Sequence, residues 1–197
     1  MSVASRLLMP WMLVGFSPPA AAHSLAETLG TVVGGLLQNV VHIEYLFAII
    51  ALALLAARSD GLRLVVAGAV FAVAAALGFA LARVAPAVAG SGAVDFAQLL
   101  VLGVLVALGW RLPPMLALAA LTLSALALGL SNGWNAPRHE FLEFAAAWLL
   151  GAVLAFVAVV AGARRLRAAW TMIAVRVVGS WIAAIGLLMA AAVTLRP

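Results

Sequence analysis

Gly35-Leu36-Leu37-Gln38-Asn39-Val40-Val41-His42-Ile43-Glu44-Tyr45-Leu46-Phe47 is the stretch on which the reading of this chain turns. It lies inside an apolar run from about residue 32 to 57, which at roughly 1.5 Å per residue is long enough to cross a bilayer. Five polar side chains fall within the eight positions 38–45. A carboxylate near mid-bilayer costs on the order of 2.5–3.5 kcal/mol, so Glu44 is expected to face away from lipid. It either pairs inside a helix bundle or lines a path for a solute.

The composition agrees with a membrane setting. The 197 residues are 68% hydrophobic and only 9% charged, which excludes an ordinary soluble domain. The net charge of +5 does not point to nucleic acid, because every basic residue is an arginine placed between apolar runs. With no cysteine, disulfides, thiolate metal sites and cysteine nucleophiles are excluded, so a metal would be held by nitrogen and oxygen.

Residues 1–22 read as a cleaved secretory signal: Arg6, a short apolar core from Leu7 to Phe16 containing Pro10, then Ser17-Pro18-Pro19-Ala20-Ala21-Ala22. The mature protein, residues 23–197, would then begin at His23, whose amine and imidazole together would make an N-terminal metal clamp. Six apolar segments follow, at about 32–57, 62–85, 94–110, 114–131, 143–163 and 174–194. Pro86, Pro113-Pro114 and Pro137 fall at or between their edges, as turn residues do. The expected fold class is all-α: a polytopic membrane bundle of six transmembrane helices. With an exported N-terminus, seven arginines (Arg58, Arg63, Arg111, Arg164, Arg165, Arg167 and Arg176) lie inside, against three (Arg83, Arg138 and Arg196) outside. The positive-inside rule therefore places both termini of the mature chain outside the bacterial inner membrane.

Gln38, His42 and Tyr45 are spaced i, i+4, i+7 and would share one face of a continuous helix. Glu44 would point about 120° away from Gln38, so one straight helix cannot aim all four at one ion. Either a second helix contributes or the first is locally distorted. Asp95 opens the third segment, as a first-turn acid or an outer-side ligand. Residues 131–140 read as an outer loop running into Glu143, in which His139 and Glu143 are one turn apart. They lack the second histidine of a zinc-protease helix and read as solvated interfacial charges. Gly129 and Gly133 make a small-xxx-small pair suited to close helix packing.

Taken with its plan, the chain resembles the HupE/UreJ family of nickel/cobalt permeases associated with hydrogenase and urease maturation. Residues 35–47 lie along that family's first-span pattern G-L-L-H-P-x-x-G-x-D-H-L-L, with the acid retained as Glu44. The two family histidines fall on Gln38 and Tyr45, and His42 stands at the family glycine. The fourth-span pattern F-H-G-x-A-H-G lies along Ala127-Leu128-Gly129-Leu130-Ser131-Asn132-Gly133, which keeps both glycines but has Leu128 and Asn132 for the histidines. Asp95, the Arg111-Leu112-Pro113-Pro114 turn and the run from Arg176 through Gly179 to Gly186 are also similar to the family.

The resemblance implies secondary or passive transport of a divalent transition-metal cation, nickel or cobalt, as substrate, with no permanently bound cofactor. Its implied ligands are His42, Glu44, Asp95 and Asn132, with Gln38 and Tyr45 as further polar lining. Replacing four imidazoles should weaken a nickel or cobalt site and favour a harder ion or none. The alternative is a family derivative that has lost transport and serves as a structural or assembly subunit, with a membrane partner or a second copy of itself. No nucleophile–base pair or complete catalytic metal set suggests an enzyme. Lipid is the expected surroundings, and nucleic acid is not an expected partner.

Overall fold

The computed structural model describes residues 30–84, 92–166 and 169–194. The expected signal segment, His23, Pro86, Arg167 and Arg196 lie outside the described residues. The described chain is all-α, with seven helices: α1 Thr31–Val41, α2 Ile43–Arg58, α3 Leu64–Val84, α4 Gly92–Leu108, α5 Pro114–Asn135, α6 Phe141–Arg165 and α7 Ala169–Thr194. Four of them, α3, α5, α6 and α7, are long and apolar enough to cross a membrane. The α1–α2 pair passes the same test jointly but is bent by 70° at its break, which brings the candidate spans to as many as five. The 17 residues of α4 extend about 26 Å, short of the usual hydrocarbon thickness, so among the described residues the expected 94–110 span is an apolar helix of sub-spanning length. The molecule is a polytopic membrane helix bundle whose outer faces contact lipid.

Two differences from the expected segments matter for the site. The first segment is not one helix, since it breaks at His42. The fourth does not end at residue 131 but continues to Asn135, so residues 131–135, expected in a loop, are helical. Helix persists there because the next obstacle is Pro137, which drives Ala136 into an extended conformation with ψ of 142°.

In lipid, apolar contact alone does not favour one helix neighbour over another, and close backbone approach decides the pairing. α3 packs chiefly against α5, α4 against α7, and α1 and α2 against α6. The α3–α5 crossing is built on glycine. A Cβ on Gly129 would lie 3.0 Å from the Cα of Ala75, and one on Gly133 would lie 2.8 Å from the Cβ of Ala82. From the facing helix, a Cβ on Gly78 would come within 2.7 Å of the Leu130 nitrogen. α4 and α7 close in the same way, with Gly103 facing Ala183 and Gly186 facing Leu99 and Leu100.

Large side chains fill the centre between these close pairs. Trp148, Phe71 and Phe156 are fully buried, Phe71 and Phe156 stack at 4.8 Å, and Phe79 sits 5.1 Å from Trp148. α1 lies over α6 through Gly35, which faces the backbone of Phe144, and through Gly151, which faces Leu36. That contact holds the polar residues of the first stretch against the rest of the bundle.

Candidate functional site

The site begins with a local weakness in the sequence. Val40, Val41 and Ile43 are β-branched and restrict their own side-chain rotamers in a helix, lowering helix propensity around His42. His42 takes φ of −90° and ψ of 86°, outside the helical region. Its amide still closes α1 on Gln38 O at 3.0 Å, while the amides of Tyr45 and Leu46 turn back to the His42 carbonyl at 3.0 and 3.4 Å. Two half-helix ends therefore meet here: the carbonyl end of α1 and the amide end of α2. Glu44 sits in the first turn of α2, where a negative charge complements the positive end of the helix dipole.

The break brings His42 and Glu44 together, which a continuous helix would not allow for residues two apart. Nδ1 of His42 lies 3.0 Å from Oε1 of Glu44, and both side chains are 21% exposed. An ionised Glu44 can only accept, so Nδ1 donates the shared proton, and in the neutral imidazole this leaves Nε2 with its lone pair. Nε2 is buried and has no hydrogen-bond partner. A carboxylate that fixes the tautomer while the far nitrogen stays available is the arrangement found behind histidines that bind metal.

From this pair a run of polar contacts crosses to two other helices. The Tyr45 ring lies 5.5 Å from that of His42, and its hydroxyl accepts a long hydrogen bond of 3.5 Å from Asn135 Nδ2. Asn135 also donates to the Ser131 carbonyl at 3.0 Å. Ser131 Oγ donates to Asp95 Oδ1 at 2.7 Å, a charge-assisted bond between α5 and the first turn of α4. The Tyr45 hydroxyl is within electrostatic reach of both Glu44 and Asp95. Residues from the break, α4 and α5 thus meet at one end of the bundle.

The other expected site residues are placed differently. Gln38 is buried on α1, 70° across the bend from the helix that carries Tyr45, so Gln38, His42 and Tyr45 do not share the single helix face expected of them. Asn132 is fully buried and its amide donates to Leu128 O of its own helix at 2.9 Å, while Oδ1 has no partner. Asp95 meets Ser131 of α5, one residue before Asn132. His139, Glu140 and Glu143 are exposed at the start of α6. Among the described residues, no group of three or more His, Asp or Glu is arranged to hold a metal ion.

Sequence reasoning missed Ser131 and Asn135 as partners of Asp95 and Tyr45. Their i, i+4 spacing was the available signal, and it is meaningful only once residues 131–135 are seen to be helical. Asn39 was passed over as well. Its amide donates to the Trp148 carbonyl at 3.4 Å, and its Oδ1 and the Trp148 indole nitrogen are both buried without partners. Buried polar atoms left unpaired are costly and mark places where water or an ion would be stabilised.

The family described as HupE / UreJ protein matches residues 11–189 of the chain, a range that takes in the broken helix pair and all the polar residues linked to it. No curated protein and no solved structure matches it significantly.

Proposed function

Because the chain belongs to the HupE/UreJ family, we propose that it is a permease for a divalent transition-metal cation, nickel or cobalt, working by secondary or passive transport. The observation that carries this reading is the break at His42, where a helix pair opens beside a histidine–glutamate pair. Half-helix ends inside transporters offer carbonyl oxygens to cations, and intramembrane ionisable groups mark solute paths. In the proposed mechanism Glu44 orients His42 and supplies negative charge, and His42 offers Nε2 to the incoming ion. Tyr45, Asn135, Ser131 and Asp95 continue the polar path, and Asn132 and Gln38 supply oxygen donors nearby.

One imidazole among oxygen donors makes a weak site for nickel or cobalt, which favours release over retention. The six-span count belongs to this proposal, with α4 counted as one of the crossings. So do a cleaved signal at 1–22, a mature N-terminal His23, residence in the bacterial inner membrane and external termini. Seven arginines on the inner side against three outside support that orientation.

A second reading is supported by α5. At the family's two histidine positions there stand Leu128, 1% exposed, and Asn132, fully buried and bonded within its own helix. A derivative that has lost transport and serves as a structural or assembly subunit would have this pattern. Uptake of nickel and cobalt by proteoliposomes holding the purified full chain separates the two. The permease reading expects uptake above empty liposomes for at least one ion and its loss in Glu44→Gln. No uptake of either ion, with the protein folded and inserted, refutes it.

A further inference from the structure

The end of the bundle opposite the polar site holds a cavity of about 440 Å³ between α2, α6 and α7. One side of it is apolar, formed by Leu54, Val159 and Val175, and the other carries Arg58, Arg111 and Arg164. Six described arginines cluster at this end (Arg58, Arg63, Arg111, Arg164, Arg165 and Arg176), and Asp60 is the one described carboxylate among them. Asp60 pairs with Arg111 at 3.3 Å through side chains that are 81% and 66% exposed, a pair that solvent screens strongly.

The other two guanidinium groups that line the cavity, those of Arg58 and Arg164, are held by backbone carbonyls. Arg58 Nη2 donates to Gly109 O at 2.6 Å, and Arg164 Nη2 donates to Leu62 O at 2.5 Å. Neutral carbonyls fix these groups in place without cancelling their charge. Arg58 Nη1 is buried and has no partner. Fixed, uncompensated guanidinium groups beside an apolar wall, at the end of a membrane bundle, fit an amphiphile with an anionic head.

We propose that this cavity binds the phosphodiester headgroup of an anionic phospholipid. Arg58 and Arg111 take the phosphate oxygens, Arg164 adds charge, and the glycerol and first acyl carbons lie along Leu54, Val159 and Val175. The apolar wall distinguishes this occupant from free phosphate, which would gain nothing from it. The proposal is independent of metal transport.

Thermal unfolding of the delipidated full chain in detergent tests it, with phosphatidylglycerol, phosphatidylcholine or inorganic phosphate added. Phosphatidylglycerol should raise the unfolding temperature, and the other two should not. Arg58→Gln with Arg111→Gln should weaken the apparent affinity for phosphatidylglycerol about tenfold or more, while Arg83→Gln with Arg138→Gln at the opposite end should not. Equal stabilisation by phosphatidylcholine or by free phosphate overturns the proposal, as does an unchanged response in the Arg58/Arg111 variant. Should that variant fail to fold, a photoreactive phosphatidylglycerol on the unaltered protein decides the matter. Labelling concentrated on residues 54–60 and 171–175 supports the cavity, and labelling spread evenly over the lipid-facing helices overturns it.

Discussion

The two ends of this bundle obey the same electrostatic rule and put it to different uses. α2, α4 and α6 run in one direction and carry an acid in the first turn: Glu44, Asp95 and Glu143. At their far ends arginines bond helix-terminal carbonyls, Arg58 on Gly109, Arg164 on Ala56 and Arg176 on Ala107. Both patterns complement helix dipoles. These three arginines reach fixed backbone oxygens and are locked. At the acidic end, Glu44 and Asp95 meet adjustable side chains, His42 and Ser131, beside a helix break. Dipole complementarity explains the placement of both sets of charge, and only the acidic end adds the local irregularity that transport would use.

The sharpest test of this contrast concerns orientation and is all-or-none. The chain has no cysteine, so His139→Cys at the acidic end and Asp60→Cys at the arginine end can be labelled singly in intact cells. A membrane-impermeant maleimide should label position 139 and miss position 60, and the reverse would invert the proposed topology.

The next largest effect should come from the packing that sets the two ends in register. Gly129→Val places a side chain against the backbone of Ala75 and should cost about 3 kcal/mol or more, since neither backbone can yield cheaply. Loss of the folded fraction in detergent would report it, and a variant as stable as the original protein would contradict the α3–α5 crossing.

Ser131→Ala should cost roughly 1.5–3 kcal/mol by removing the donor to the Asp95 carboxylate, as hydrogen bonds to charged groups generally do. Arg111→Ala breaks only an exposed pair and should cost about 1 kcal/mol or less. Chemical denaturation of the two variants side by side would show whether the part-buried Ser131–Asp95 bond outweighs the solvent-screened Arg111–Asp60 pair. Equal losses would remove the distinction.

Much of the architecture was legible because lipid leaves a strong compositional signature. The expected 62–85 and 143–163 segments correspond to Leu64–Val84 and Phe141–Arg165, and the Pro113-Pro114 turn starts α5 with proline in its first turn. Non-sequential pairing was not legible. That α3 seeks α5 and α4 seeks α7 depends on which small residues come to face one another, and glycines occur in most segments.

At the site, the sequence identified Glu44 and His42 as anomalous and called for a second helix or a distortion. It could not choose, because Val40, Val41 and Ile43 suit a buried helix almost as well as they suit a break. Both features are present: the break at His42, and α4 and α5 contributing Asp95, Ser131 and Asn135. Asn135 escaped notice because a Ser-Asn-Gly-Trp-Asn run reads as a loop, although nothing before Pro137 forces the helix to stop.

A divalent cation is proposed to pass at the His42 break, and cobalt uptake into proteoliposomes tests this most directly. The unaltered protein, His42→Ala and Arg165→Gln are to be compared at equal folded amounts. Uptake is expected from the unaltered protein, with its loss in His42→Ala and near-normal uptake in Arg165→Gln. Uptake that survives in His42→Ala would contradict the proposal.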